Sequence, residues 1–142
     1  MTRGKVRPKP KTVLFIDDES PWLEMIKEAV NGASFKIMTA DSGEAALQQL
    51  HRKKPDLIMS DVRMPTMNGF DLFEKVRSDP KFRNVPYVFM SSIDDFDARR
   101  TAKELGADDY VEKPIDTEEV RHIVLNLLTR FKQTKHDAGD TP

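Results

Sequence analysis

Five short apolar runs alternate with five helical patterns between Thr12 and Gln133, and this alternation constrains the fold more than any other feature of the chain. The runs are Val13-Leu14-Phe15-Ile16, Phe35-Lys36-Ile37-Met38, Leu57-Ile58-Met59, Tyr87-Val88-Phe89-Met90 and Tyr110-Val111. The first, third and fourth are continuously apolar, as parallel strands covered on both faces should be. The second and fifth admit charge, as edge strands do. Between them, Ser20-Pro21 offers an N-cap and a first-turn proline for a helix carrying Leu23, Ile26 and Val30. Ser42 caps a second helix, with Ala46, Leu47 and Leu50 turned inward. A third spans about Phe70 to Arg77 and stops near Pro80. A fourth, about Asp95 to Leu105, has only a thin stripe of Ala98, Ala102 and Leu105 and ends at Gly106. The fifth opens with a capping-box-like Asp116 and Glu119, and its apolar positions repeat to Phe131. From Asp116 to Gln133 it should span roughly 27 Å.

Parallel neighbours need helical crossovers, and those crossovers are right-handed. The expected fold is therefore α/β: a doubly wound, flavodoxin-like (βα)5 domain with a five-stranded parallel sheet in strand order 2-1-3-4-5. Its ligand crevice lies at the carboxyl ends of strands 1 and 3, where the strand order reverses.

At 142 residues the chain fits one domain, expected over residues 12–133. A basic, disordered tail is expected at 1–11 and a polar C-terminal tail at 134–142. The net charge of -1 conceals an uneven distribution: residues 1–11 hold five basic side chains and no acid, leaving 18 basic against 24 acidic residues in the remainder. That acidic body argues against nucleic acid as a direct ligand, and five spaced charges without aromatics read as a solvated arm. There is no cysteine, hence no disulfide framework, which suits a reducing cytoplasm. No apolar run approaches the ~18 residues of a membrane span.

The strand ends carry the chemistry. Strand 1 ends in Asp17-Asp18, strand 3 in Asp61, strand 4 in Ser91-Ser92 and strand 5 in Lys113-Pro114. Taken singly, each is ordinary turn chemistry. In the expected fold all four ends collect on one edge, where three carboxylates would repel one another unless protonated or bridged by a cation. A hard divalent ion such as Mg²⁺ suits such an oxygen set and keeps room for a phosphate oxygen. Lys113 supplies a positive charge able to pair with Asp61 and then with a phosphoryl oxygen. Ser91 supplies a small hydroxyl donor. Such a set would stabilise an in-line phosphoryl transfer with Asp61 as nucleophile.

Asp17-Asp18, the segment Asp61-Val62-Arg63-Met64-Pro65-Thr66-Met67-Asn68-Gly69, Ser91, and Tyr110-Val111-Glu112-Lys113-Pro114 resemble the receiver domain of two-component response regulators. The resemblance covers roughly residues 12–131. It implies that Asp61 is the phosphorylated aspartate. It further implies that Asp18 and Asp61 ligate Mg²⁺ (or Mn²⁺) directly, Asp17 through water, and Arg63 by its backbone carbonyl. Ser91 matches the switch hydroxyl, Tyr110 the switch aromatic and Lys113 the phosphate-binding lysine, and the Lys113–Pro114 bond is expected to be cis. The implied donor is a histidine kinase or histidine phosphotransfer protein. The implied output is a change in affinity for an unknown downstream protein through helix 4, strand 5 and helix 5. The chain would then be a signalling phosphoacceptor rather than a turnover enzyme, catalysing only its own phosphorylation and dephosphorylation. It would be cytoplasmic, and a monomer or a phosphorylation-dependent dimer.

Several positions depart from the commonest pattern. Ser91 replaces threonine, and Arg63 and Ile93 stand two residues beyond Asp61 and Ser91, where they are expected to hinder water and prolong the phosphorylated state. A hydrolase with an aspartyl nucleophile usually has a second acid where Arg63 stands. A flavin domain is disfavoured by the acidic loop Asp17-Asp18-Glu19-Ser20-Pro21. The remaining alternative is a degenerate receiver acting as a phosphorylation-independent interaction module. His51, His122 and His136 have no neighbouring constellation, and Trp22, just past the acid pair, is expected to be partly packed. With only Thr134 to Pro142 after the fifth helix, the chain is expected to be either a stand-alone receiver or a fragment of something longer, Met1 and the polar finish leaning toward the former.

Overall fold

The computed structural model describes residues 10–30, 35–113 and 115–140. It contains β1 (Lys11–Ile16), α1 (Ser20–Ala29), β2 (Phe35–Ala40), α2 (Gly43–Arg52), β3 (Leu57–Asp61), α3 (Gly69–Ser78), β4 (Tyr87–Ser92), α4 (Phe96–Glu104), β5 (Asp109–Lys113) and α5 (Thr117–Asp140). All strand pairs are parallel, in the order β2-β1-β3-β4-β5. The expected topology holds. Every residue of β3 is buried, whereas every residue of β5 is half-exposed, which separates a covered central strand from an edge.

Alternation along the strands divides the core into two layers. Leu14, Ile16, Ile58, Tyr87 and Phe89 point to one face, under α2, α3 and α4. Val13, Phe15, Leu57, Met59, Val88 and Met90 point to the other, under α1 and α5. On the first face Phe73 packs edge-on against Tyr87, with ring centroids 5.0 Å apart.

The helix caps show where local reading succeeds. Ser42 caps α2 by accepting from the Ala45 N–H at 3.1 Å, and Asp116 accepts from the Glu118 N–H at the start of α5. Gly106, at φ 79°, closes α4 with the Ala107 N–H donating back to the Ala102 carbonyl. Asn68 and Asp71 form a full capping box at α3, readable in principle from their spacing. Ser20 is not the cap of α1; it is the first helical residue, after Glu19. The reason is local: Asp17 Oδ1 already accepts from the Glu19 N–H at 3.0 Å, and Pro21 removes one N–H that would need a cap.

α5 continues to Asp140, through residues 134–140 that sequence reading assigned to a polar tail. Lys135 and Ala138 are adequate helix formers and no proline intervenes before Pro142. Of the basic tail expected at 1–11, residues 1–9 lie outside the described residues, as does the expected cis bond to Pro114, while Lys11 already stands in β1, paired with Phe35.

Candidate functional site

The strand order brings the carboxyl ends of β1 and β3 side by side, with Ile16 paired to Ser60. Asp17 follows β1 and is wholly buried, its N–H donating to the Ala40 carbonyl. Asp61 ends β3 with 7% exposure, while Asp18 faces solvent. One carboxylate oxygen from each of Asp17, Asp18 and Asp61 lies within 4.8 Å of the others.

Burial pushes the Asp61 carboxyl upward, and the charges of Asp17 and Asp18 push the same way. Lys113 and the Arg63 N–H oppose this, and the balance rests at about 6 against an ordinary 3.8. A carboxyl so disfavoured as an anion, beside two further carboxylates, is a donor set that fits a divalent cation. The metal-ligand chemistry read from the sequence is therefore compatible with the folded geometry.

Lys113 ends β5 and leans over the edge. Its Nζ donates to Asp17 Oδ2 at 2.5 Å and lies 3.5 Å from Asp61 Oδ2 and 3.7 Å from Glu19 Oε1. Burial alone would lower the Lys113 pKa, but the Asp17 hydrogen bond and the charges of Asp61, Asp17 and Glu19 outweigh it, and the net shift is upward. Lys113 is thus a permanent cation here, bonded first to Asp17 rather than to Asp61. Trp22 lies under the same ammonium, with Nζ 5.0 Å from the ring centroid.

Ser91 is buried on β4 and donates from Oγ to Asp95 Oδ2 at 3.1 Å. Asp95 also receives a two-point fork from Arg63, whose Nε and Nη2 reach its two oxygens at 2.8 and 2.9 Å. The Arg63 hydrogen bonds hold the Asp95 carboxyl down at about 2. Sequence reading missed Asp95, because its fork partner Arg63 comes from the loop after β3, 32 residues away. Tyr110 is half-buried on β5, with the Arg99 guanidinium 5.1 Å from its ring centroid. Its hydroxyl is buried without a hydrogen-bond partner among the described residues. Arg99 also pairs with Glu112, so α4 and β5 are tied at the surface. His51 and His122 stand on α2 and α5, exposed and away from this edge.

The loop from β3 to α3 carries strain. The Met67 N–H donates to the Pro65 carbonyl at 2.7 Å, a three-residue turn that holds Thr66 at φ 69°. A β-branched residue is disfavoured there, and Thr66 is exposed. Thr66→Gly is expected to raise stability by about 0.5–1 kcal/mol in urea denaturation. An unchanged midpoint would show that the turn stores no strain.

Residues 13–125 match the family described as the response regulator receiver domain. The chain belongs to that family. It is 32% identical to the response regulator Rre1 of Synechocystis over 92% of this chain and 57% of that protein. It is 33% identical to the response regulator PleD of Caulobacter vibrioides over 84% of this chain and 26% of that protein. Among solved structures, the chemotaxis protein CheY4 of Vibrio cholerae superposes with a TM-score of 0.74 at 26% identity, covering 82% of this chain and 98% of that one. The chain thus spans about half or less of these longer regulators and nearly all of a chemotaxis receiver. No helix among the described residues is long and apolar enough to cross a membrane.

Proposed function

We propose that this receiver domain accepts a phosphoryl group on Asp61 from a histidine kinase or histidine phosphotransfer protein, and relays the change to a downstream protein. The observation that carries this reading is the convergence of the Asp17, Asp18 and Asp61 oxygens within 4.8 Å, with Lys113 reaching over them. Asp17, Asp18 and Asp61, with the Arg63 backbone carbonyl, would hold Mg²⁺ or Mn²⁺. When bound, that ion supplies neutralising charge for the carboxylates and the incoming phosphoryl oxygens.

Asp61 is positioned to act as nucleophile. One of its oxygens forms a P–O bond while the P–N bond of the donor phosphohistidine breaks. The electron pair leaves on the imidazole nitrogen, which is protonated from water. Lys113 then holds a phosphoryl oxygen, exchanging part of its contact with Asp17, and Ser91 donates its hydroxyl to another. Tyr110 carries the change to the face of α4, β5 and α5, where the target and any phosphorylation-dependent dimer would bind. A donor of this kind would meet the chain in the cytoplasm. No observation favours the degenerate alternative, since each site position holds a residue of the type that the chemistry needs.

Incubation with acetyl phosphate and Mg²⁺ tests the reading. The intact protein is expected to gain one phosphoryl group by mass, and Asp61→Ala to gain none. No modification of the wild-type chain would favour an interaction module. Arg63 and Ile93 stand two residues beyond Asp61 and Ser91, positions that rim the site in this family, with Ile93 61% exposed on the loop after β4. The paired substitution Arg63→Ala, Ile93→Ala is expected to shorten the phosphoryl half-life several-fold, by about 1 kcal/mol of barrier. An unchanged half-life sinks the shielding role.

A further inference from the structure

The hydroxyl of Ser91 has one proton, and in the resting structure that proton is committed to Asp95 Oδ2 at 3.1 Å. A hydroxyl cannot donate the same proton to a phosphoryl oxygen as well. Asp95 is itself firmly placed. Its Oδ1 accepts from the Ala98 N–H at 3.1 Å, capping α4, and the Arg63 fork engages both oxygens. Arg63 follows β3 by two residues, so the fork fastens the loop after β3 to the loop after β4. Ser91 can leave Asp95 without releasing either the cap or the fork, and the bond it gives up is one to a charged acceptor.

We propose that Asp95 is a positioning residue that holds the Ser91 hydroxyl in its resting orientation, so that this bond must break before Ser91 can serve a phosphoryl group on Asp61. The proposal rests on the reading of Asp61 as the acceptor. It makes Asp95 a brake on capture of the phosphoryl group. It also places that brake at the N-terminus of α4, the helix with the thinnest apolar stripe, so departure of Ser91 is felt directly at the start of that element.

The test is the affinity of the full chain for beryllium fluoride, a tetrahedral phosphoryl mimic, in the presence of Mg²⁺. Trp22 fluorescence is the readout, since its ring lies under Lys113. Asp95→Asn keeps a capping oxygen for the Ala98 N–H and turns an NH2 group, which can only donate, toward Ser91, giving up with it the Arg63 Nε contact to the same atom while the Nη2 contact stays. This variant is expected to bind the mimic about 3–10-fold more tightly than wild type, the worth of one hydrogen bond. In a Ser91→Ala background the same substitution should change affinity by less than about twofold, because the bond it removes is already gone.

Equal affinities of Asp95→Asn and wild type would overturn the proposal. So would an undiminished gain in the Ser91→Ala background, which would trace the effect to the cap or to Arg63. Failure of the wild-type chain to bind the mimic would overturn the reading of Asp61, and the brake with it. Should Asp95→Asn not fold by circular dichroism, Asp95→Ser retains a capping hydroxyl too short to hold Ser91 and is expected to give the same tightening.

Discussion

Asp61→Asn is expected to stabilise the metal-free protein at neutral pH and to abolish both the phosphoryl gain proposed for Asp61 and any stabilisation by Mg²⁺. The folded carboxyl titrates at about 6, against 3.8 unperturbed. Below the lower value it is protonated in both folded and unfolded chains, and the substitution has no electrostatic effect. Between the two values the unfolded chain releases its proton while the folded chain keeps it, so wild-type stability falls as pH rises. Above about 6 the full penalty applies, and asparagine avoids it.

The gap between the folded and unfolded titration points corresponds to about 3 kcal/mol, and water reaching the site from the Asp18 side screens this to about 1–2 kcal/mol. Urea denaturation in EDTA across pH 4 to 8 measures the stability difference between variant and wild type. It should open between pH 4 and 6 and then level off. A difference that is flat with pH would mean that Asp61 is not strained as an anion. Mg²⁺ should act in the opposite sense on wild type, raising its melting temperature more at pH 7.5 than at pH 5, because metal and proton compete for the same oxygens. In Asp61→Asn that dependence should largely disappear.

Gly69→Ala is expected to be the most damaging methyl addition among the described glycines. A Cβ built on Gly69 would lie 2.2 Å from the Asp61 carbonyl oxygen and 3.1 Å from its carbon. Both are backbone atoms of Asp61, held in β3 and unable to swing aside. The Gly69 N–H donates to the Val62 carbonyl at 2.9 Å, and its own carbonyl accepts from the buried Tyr87 hydroxyl at 3.1 Å, so Gly69 cannot retreat cheaply either. A cost of about 3–5 kcal/mol is expected, together with weakened Mg²⁺ binding, since Asp61 must move. Gly43→Ala is the control. Its Cβ would meet Met67 Sδ at 2.6 Å, the far end of a flexible side chain that can rotate away. That variant should lose less than about 1 kcal/mol by thermal or urea unfolding. Similar losses at the two positions would show that backbone approach at Asp61 is not the cause.

Much of this molecule was legible from local pattern. The continuous apolar runs of β1, β3 and β4 distinguished covered strands from the mixed edges β2 and β5, since side-chain alternation and burial are written directly into the residue order. The acids at the ends of β1 and β3 stood out for the same reason. Caps were legible where one side chain bonds one nearby N–H, as at Ser42 and Asp116. They misled at Ser20, where Asp17 had already taken over the turn. The Asn68–Asp71 box was overlooked although its spacing was available.

Periodicity and strand-end chemistry therefore carried the topology, the acidic edge and the family, because these depend on neighbours in sequence and on the few ways that parallel strands can be connected. Which atom each site residue touches was decided only by the folded chain. Lys113 lies 96 residues from Asp17 yet bonds it in preference to Asp61, and Arg63 crosses 32 residues to grip Asp95. The close approach of Gly69 to the Asp61 carbonyl likewise appears only once α3 has docked on the sheet. Those contacts form between elements, where packing sets distances to fractions of an ångström, and no spacing along the chain encodes them.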